Sequence, residues 1–334
     1  MKLLTTSAPM PELRMNALPD PGEITNALSS DSFRACAQLI TAIERATPGL
    51  TPVLQVLYRG GRGNRIIGIT GPPGAGKSSL VNQLITHIRR LGKTVAILAI
   101  DPSSPFSGGA VLGDRLRMMQ HSADTGVFIR SMASRGQLGG LTKAVGDALI
   151  VLDAMPWDYI IVETVGVGQN ELDIMQLADT VVLVQTPMSG DDVQAAKAGI
   201  NEIGDIYVVN KCDHNEADRT VRFLQSMITL GLHLQPEKIW TQPVVKTQSV
   251  SGLGIEDLAN HIDHFFSVMK PDTPDMRLRR RHRIAYQTKG ILRDILERRF
   301  HDSNDQQIEN SIDAILTRQS DPYALVSELL AAQG

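Results

Sequence analysis

One eight-residue run constrains the fold of this chain more than anything else in it. Gly71-Pro72-Pro73-Gly74-Ala75-Gly76-Lys77-Ser78 matches the pattern G-x-x-x-x-G-K-[ST] over its whole length. It lies between an apolar strand pattern at 65–70 and a helical pattern at 78–90, the context its mechanism demands. Glycines let backbone N–H groups turn inward around phosphate oxygens, and the helix N-terminus adds the positive end of its dipole. Lys77 would reach the β and γ phosphates and Ser78 would ligate Mg²⁺, with Ser79 in the last place of the loop. Residue 72 is proline, whereas the variant loops of some dimeric ATPases carry a second lysine there, so that ATPase mechanism loses support.

Such a loop needs a parallel sheet behind it, and the sequence supplies one. Short apolar runs without polar alternation recur at 94–100, 160–163, 180–185, 206–210 and 244–247, as in strands covered by helices on both faces. The fold class expected is α/β, a doubly wound, mostly parallel sheet whose site lies at the carboxyl ends of its strands. With 334 residues the chain has room for additions at both ends. We expect a helical N-terminal extension over 1–62, a nucleotide-binding core over 63–270 and a C-terminal helical extension over 271–334. In the first, Ser30-Asp31-Ser32 caps a helix with Phe33, Ala37, Ile40 and Ile43 on one face, and a second short helix at 52–58 leads to a hinge-like Gly60-Gly61-Arg62-Gly63. The last begins after Pro271 and Pro274 with Arg277-Leu278-Arg279-Arg280-Arg281-His282-Arg283. That run reads as a solvated helical face in preference to a charge-reading partner site, and so long an appendage suits oligomerisation better than catalysis.

Composition removes several alternatives. The formal net charge is −3, from 33 basic and 36 acidic residues, so no global field draws the protein to nucleic acid or anionic lipid. Cys36 and Cys212 are far apart and outside metal-type spacing, which fits a reducing compartment. No signal-peptide pattern opens the chain, and no segment approaches ~18 consecutive apolar residues. A cytoplasmic protein with no membrane or nucleic-acid partner is expected.

The base-reading element is Asn210-Lys211-Cys212-Asp213, at the end of the strand pattern Ile206-Tyr207-Val208-Val209. Asp213 would accept from guanine N1–H and the exocyclic amine, whereas adenine presents an acceptor at N1; a buried polar mismatch of that kind discriminates by orders of magnitude. Asn210 would tie the base side to the phosphate loop, and the Lys211 stem would cover the ring. Ser249-Val250-Ser251-Gly252 reads either as the source of a backbone N–H for guanine O6, from Ser249 or Val250, or as an ordinary Ser/Gly turn.

For chemistry, Glu163-Thr164-Val165-Gly166 ends the run from Trp157 to Val162. Glu163 would hold Mg²⁺ or its bound water, and the Gly166 N–H would meet the γ-phosphate. Val167 stands where the Ras-like group has a water-orienting glutamine, so slow intrinsic hydrolysis is expected. Asp101, in Asp101-Pro102-Ser103-Ser104, and Asp114, after Gly108-Gly109-Ala110, would bring carboxylates to the metal and the attacking water. Asp114 serves equally well as a cap for a helix after Gly113. The expected catalytic set is Lys77, Glu163, Asp101 and Asp114, and the expected metal set is Ser78, Asp101, Asp114 and Glu163.

Together the loop, Glu163-Thr164-Val165-Gly166-Val167-Gly168-Gln169, Asp101-Pro102-Ser103-Ser104 and Asn210-Lys211-Cys212-Asp213 resemble the ArgK/MeaB family of GTPases, from about residue 25 to the end. What the resemblance implies is a GTP/GDP-binding, Mg²⁺-dependent GTPase that chaperones adenosylcobalamin-dependent methylmalonyl-CoA mutase, gating cofactor loading and protecting the mutase. It also implies a homodimer built by the C-terminal extension and a further switch near Ser189-Gly190-Asp191-Asp192-Val193-Gln194, with Lys197 nearby. The loop departs mildly from the family in having Ser79 where threonine is common. Alternatives are a metallochaperone GTPase, for which His261 and His264 are the available ligands, and an ATPase or kinase linked to arginine transport, against which the guanine element argues.

Overall fold

The computed structural model describes residues 33–101, 119–133, 140–164, 175–187, 203–234 and 239–331, with Ile24 and Leu28. From residue 33 onward two helices, α1 (Phe33–Glu44) and α2 (Leu50–Arg59), precede the strand β1 (Arg65–Thr70). Then follow α3 (Lys77–Arg90), β2 (Val95–Asp101), β3 (Val127–Ala133), α4 (Gly140–Asp153), β4 (Tyr159–Thr164), β5 (Thr180–Gln185) and β6 (Ile206–Val209). The chain continues through α5 (Ala217–Leu234), β7 (Val244–Lys246), α6 (Ile255–Val268), the 43-residue α7 (Pro274–Leu316) and α8 (Pro322–Ala331).

Among the described residues the sheet has seven strands, all parallel, in the order β3-β2-β4-β1-β5-β6-β7. The chain winds outward from β1 to β2 and β3, returns to β4, and then crosses to the other side of β1 for β5, β6 and β7. β1 therefore sits at the reversal of strand order, where such sheets open a crevice at their carboxyl ends. Every residue of β4, β5 and β6 is buried, as the unbroken apolar runs require. Ile66, Leu98, Ile160 and Val162 face a core shared with α1, α2 and α4. Ile67, Ile69, Ile97, Ile161 and Val182 face the opposite core, built with α3 and α6.

β3 has no counterpart among the expected strands. Its sequence, VFIRSMA, is interrupted by Arg130 and Ser131 and so lacks a continuous apolar run. Among the described residues it pairs with β2 alone, at the edge of the sheet, and Arg130 reaches across to α1, donating to Thr41 Oγ1 at 3.0 Å and pairing with Glu44. Phe33, Phe128 and Trp157, with ring centroids 5.2–6.2 Å apart, fasten α1 to the same edge.

The glycine run before β1 is not a hinge. Asp153, the last residue of α4, accepts from the Gly63 and Asn64 amides at 3.3 and 2.7 Å, and the Asn64 side chain donates to Met155 O at 2.7 Å. Gly61 is crowded as well, since a Cβ there would lie 2.5 Å from the Asp153 carboxylate.

The arginine run is not simply a solvated face either. Arg279 forks onto the Asp205 carboxylate at 2.6 and 2.7 Å and donates to Asp179 O at 3.0 Å, while Arg283 reaches Asp179 at 2.9 Å. Those carboxylates in turn accept from the backbone of the strand next to the one each precedes, Asp179 from Ile66 N of β1 at 3.1 Å and Asp205 from Val181 N of β5 at 2.8 Å. The root of α7 is thus bolted to the amino-terminal edge of the sheet, with Met276 buried beneath it. Thr273 caps the helix and Pro274 fits its first turn, where no N–H is needed.

Candidate active site

The loop between β1 and α3 is shaped by three glycines. Gly71 passes so close to β5 that a Cβ would lie 2.0 Å from Val184 O, and Gly74 and Gly76 have φ of 75° and 86°, the left-handed region. α3 starts at Lys77 with no side-chain cap and no acidic residue in its first turn, leaving its N-terminus to an anion. Lys77 Nζ donates to the carbonyls of Gly71 and Pro72 at 2.8 and 3.0 Å, so the ammonium lies along the loop. Of the expected loop residues, Pro73 and Gly74 are exposed, Pro72, Gly76 and Ser79 are half-buried, and Gly71, Ala75, Lys77 and Ser78 are buried.

Parallel pairing then sets the acidic residues beside the loop. Glu163 stands in register with Ile69 on one side and Ala99 on the other. Its Oε1 accepts from Ser78 Oγ at 2.7 Å, with both side chains buried. One strand further out, the backbone of Asp101 ends β2 at the same edge of the sheet; its side chain, together with Asp114, Gly166, Val167 and the segment around Ser189 to Lys197, lies outside the described residues. The buried Thr164 hydroxyl donates to Thr70 Oγ1 at 3.0 Å, locking the ends of β4 and β1 together.

The base element and the phosphate loop meet at Asn210, which is 2% exposed. Its Nδ2 donates to Ala75 O in the loop at 2.7 Å. Its Oδ1 accepts from Thr247 Oγ1 at 3.0 Å, from the Ser249 amide at 3.1 Å and from Ser249 Oγ at 2.8 Å. The bare sequence offers Ser249 as an amide donor to guanine, but the fold gives that N–H to Asn210, and Val250, 89% exposed, is the next residue of the turn. Lys211 adopts φ 57° and is exposed, as is Asp213, so both side chains stand open at the mouth of the site. Thr247 escaped the sequence reading because its partner lies 37 residues away.

Among the described residues no group of three His, Cys, Asp or Glu side chains could hold a metal ion. Burial pushes the Cys36 thiol up to about 12, which leaves it protonated and inert. His261 lies 3.7 Å from Asp257, and His264 packs against the Trp240 ring with centroids 5.6 Å apart.

A glycine-shaped anion cradle, a lysine laid along it, and a guanine-type element clamped to it through one asparagine define a phosphate-loop GTPase on a doubly wound sheet. A profile of the family described as "Methylmalonyl Co-A mutase-associated GTPase MeaB" matches residues 36–305, and the chain belongs to that family. It is 44% identical over 312 residues to PH0274 of Pyrococcus horikoshii, named provisionally as a GTPase, covering 92% of this chain and 96% of that one. It is 32% identical to the GTPase ArgK of Escherichia coli over 70% of this chain and 71% of that one. The methylmalonic aciduria type A homolog, mitochondrial, of Mus musculus is 35% identical over 60% of this chain and 48% of its own length. Among solved structures, that of a LAO/AO transport system kinase shares the fold, with a TM-score of 0.67 at 23% identity, covering 94% of this chain and 99% of that one. The protein is therefore a guanine-nucleotide-binding GTP hydrolase.

Proposed function

We propose that this GTPase is a Mg²⁺-dependent, homodimeric G-protein chaperone of adenosylcobalamin-dependent methylmalonyl-CoA mutase in the cytoplasm, gating cofactor loading and protecting the mutase. The observation that carries the partner assignment is the family match over 36–305, whose description names association with that mutase.

The residues present suit the metal. Ser78 and Glu163 offer a hydroxyl and a carboxylate 2.7 Å apart at the loop, an all-oxygen set of the kind Mg²⁺ takes when phosphates and waters complete its shell. Ser78, with Glu163, Asp101 and Asp114, would hold it, and the ion would neutralise charge on the β and γ phosphates. Lys77 would turn from the loop carbonyls to the phosphates, the Gly166 amide would meet the γ-phosphate, Asp213 would read the guanine edge, and Val250 would donate to O6. Val167 leaves the attacking water without a glutamine, so hydrolysis in the isolated protein is slow and partner binding accelerates it. Completing a phosphoryl-transfer site is worth ~10³–10⁵ in rate, which gives a partner ample leverage.

For the dimer, α7 exposes Ile284, Ile291, Leu292, Ile295 and Leu296 beyond its bolted root, apolar surface that a second copy would cover. Single-turnover GTP hydrolysis with and without purified mutase tests the proposal. The rate rises with saturating mutase, and Glu163→Ala retains GTP binding but loses the stimulated rate. An unchanged wild-type rate would remove the switch mechanism.

A further inference from the structure

The seam between β1 and β4 divides the site. The phosphate loop leaves the end of β1, whereas Glu163 and Thr164 form the end of β4. Backbone pairing across this seam stops at Ile69 and Glu163. On their outer sides the same two strands stay paired one residue longer, Thr70 with Leu183 of β5 and Thr164 with Ile100 of β2. The ladder therefore opens at the rung where the loop and the carboxylate-bearing strand end part company.

Two threonines occupy that rung. Thr164 Oγ1 donates to Thr70 Oγ1 at 3.0 Å, and both residues are 0% exposed. Side chains alternate along a strand, so this pair lies on the face that carries Ile66, Ile160 and Val162 into the apolar core, away from the Glu163 side chain. Valine would fill the space with the same shape, whereas a buried hydroxyl costs free energy unless it is bonded. The hydroxyls thus supply the cross-strand bond that the backbone no longer makes. On the opposite face the seam is spanned by the 2.7 Å bond from Ser78 to Glu163. Those two groups would turn to the metal, which leaves the threonine bond as the tie between the strand ends.

We infer that Thr164 is a positioning residue for GTP hydrolysis: through Thr70 it holds the Glu163 end of β4 at a fixed distance from the phosphate loop. This rests on the assignment of Glu163 to the metal or its bound water. The bond sets how the two strand ends sit relative to each other and leaves the shape of the loop alone. Its loss therefore slows the reaction and spares nucleotide affinity, which the loop and the base-reading turn carry.

Two measurements on the full chain read this: single-turnover hydrolysis at saturating GTP, and calorimetry with a non-hydrolysable GTP analogue. One buried hydrogen bond between neutral groups is worth roughly three- to tenfold. Thr164→Val therefore hydrolyses GTP more slowly by about that factor, while its affinity for the analogue stays within about twofold. Thr164→Ser, which keeps the hydroxyl, matches the wild type in both. Thr164→Ala, which puts no second methyl where the hydroxyl stood, shows the same one-sided loss even if Thr164→Val fails to fold. A wild-type rate in folded Thr164→Val would overturn the inference. So would a matching loss of rate and affinity with a lowered melting temperature, or a Thr164→Ser as slow as Thr164→Val, since either marks a merely structural role. Glu163→Ala, run alongside, separates the levels. If it hydrolyses GTP at the wild-type rate, the Glu163 assignment fails and the inference with it; if it is slow while Thr164→Val is not, the inference alone falls.

Discussion

Replacing Arg279 with methionine keeps most of the side-chain volume and removes only the guanidinium, which isolates the contribution of the bolt between α7 and the sheet. In the wild type that group makes two parallel bonds to Asp205, at 2.6 and 2.7 Å, a fork geometry among the stronger charge-assisted pairs. The Asp205 side chain is 10% exposed and that of Arg279 is 31% exposed. Removing one member of a buried pair costs ~3–5 kcal/mol, because the other charge stays behind without compensation. The partial exposure of Arg279 and the Val181 amide still bound to Asp205 reduce this to about 2–3 kcal/mol. At about 2 °C per kcal/mol for a chain of this size, the melting temperature falls by about 4–6 °C. Differential scanning calorimetry on nucleotide-free protein reads the shift, and adding Asp205→Asn to Arg279→Met recovers part of it, since the stranded charge is then gone. A single variant melting within about 1 °C of wild type would show that the fork contributes nothing and that α7 is held by its other contacts, the Arg283–Asp179 pair among them.

Lys77→Ala lowers GTP affinity by at least about a hundredfold, because a point charge on the β and γ phosphates is lost; circular dichroism shows the fold retained while calorimetry shows the loss. Asp213→Asn moves preference from guanine to xanthine nucleotides, since the amide donates where xanthine presents a carbonyl in place of the amine, as a competition assay would record. On the acid side, Arg89 and the Gly126 amide hold the Asp124 carboxyl below its ordinary value. Burial works against Asp263 but is outweighed by hydrogen bonds from Tyr159 and Lys93, and this carboxyl too stays low. Depressed carboxylates add stability above their unfolded pKa of about 4 and lose it as the pH falls through the folded value. Urea melts therefore weaken progressively below about pH 4, and Asp124→Asn flattens that dependence.

The sequence shows those parts of the protein whose causes are local. The phosphate loop is a contiguous signature, and β1, β4, β5 and β6 are unbroken apolar runs because a sheet covered on both faces demands them. β3 is hidden because an edge strand can carry Arg130 out to Glu44 on a helix 86 residues earlier. The arginine run looks solvated in the sequence for a related reason. Asp205 and Asp179, which bind Arg279 and Arg283, lie 74 and 104 residues away, so charge density alone gives no sign that they are met. At the site, Asn210 and the loop are legible as motifs, whereas the use of the Ser249 amide and the role of Thr247 depend on how β6 and β7 pair. Only the tertiary fold supplies that information.

The bolted root of α7 fixes where a signal can enter this helix. Asp179 and Asp205 lie at the amino-terminal edge of the sheet, whereas the nucleotide site occupies the opposite edge, so the root is anchored away from the phosphates. Contact with the rest of the molecule resumes further along, where Lys143 of α4 lies 3.7 Å from Asp294 and Gln287 packs over Gly146. α4 itself begins just past β3, whose last residue pairs in register with Asp101. Mechanically, α7 is a beam clamped at one end and touched partway along its ~65 Å length. A shift of α4 would therefore bear on the span of α7 and leave its root in place.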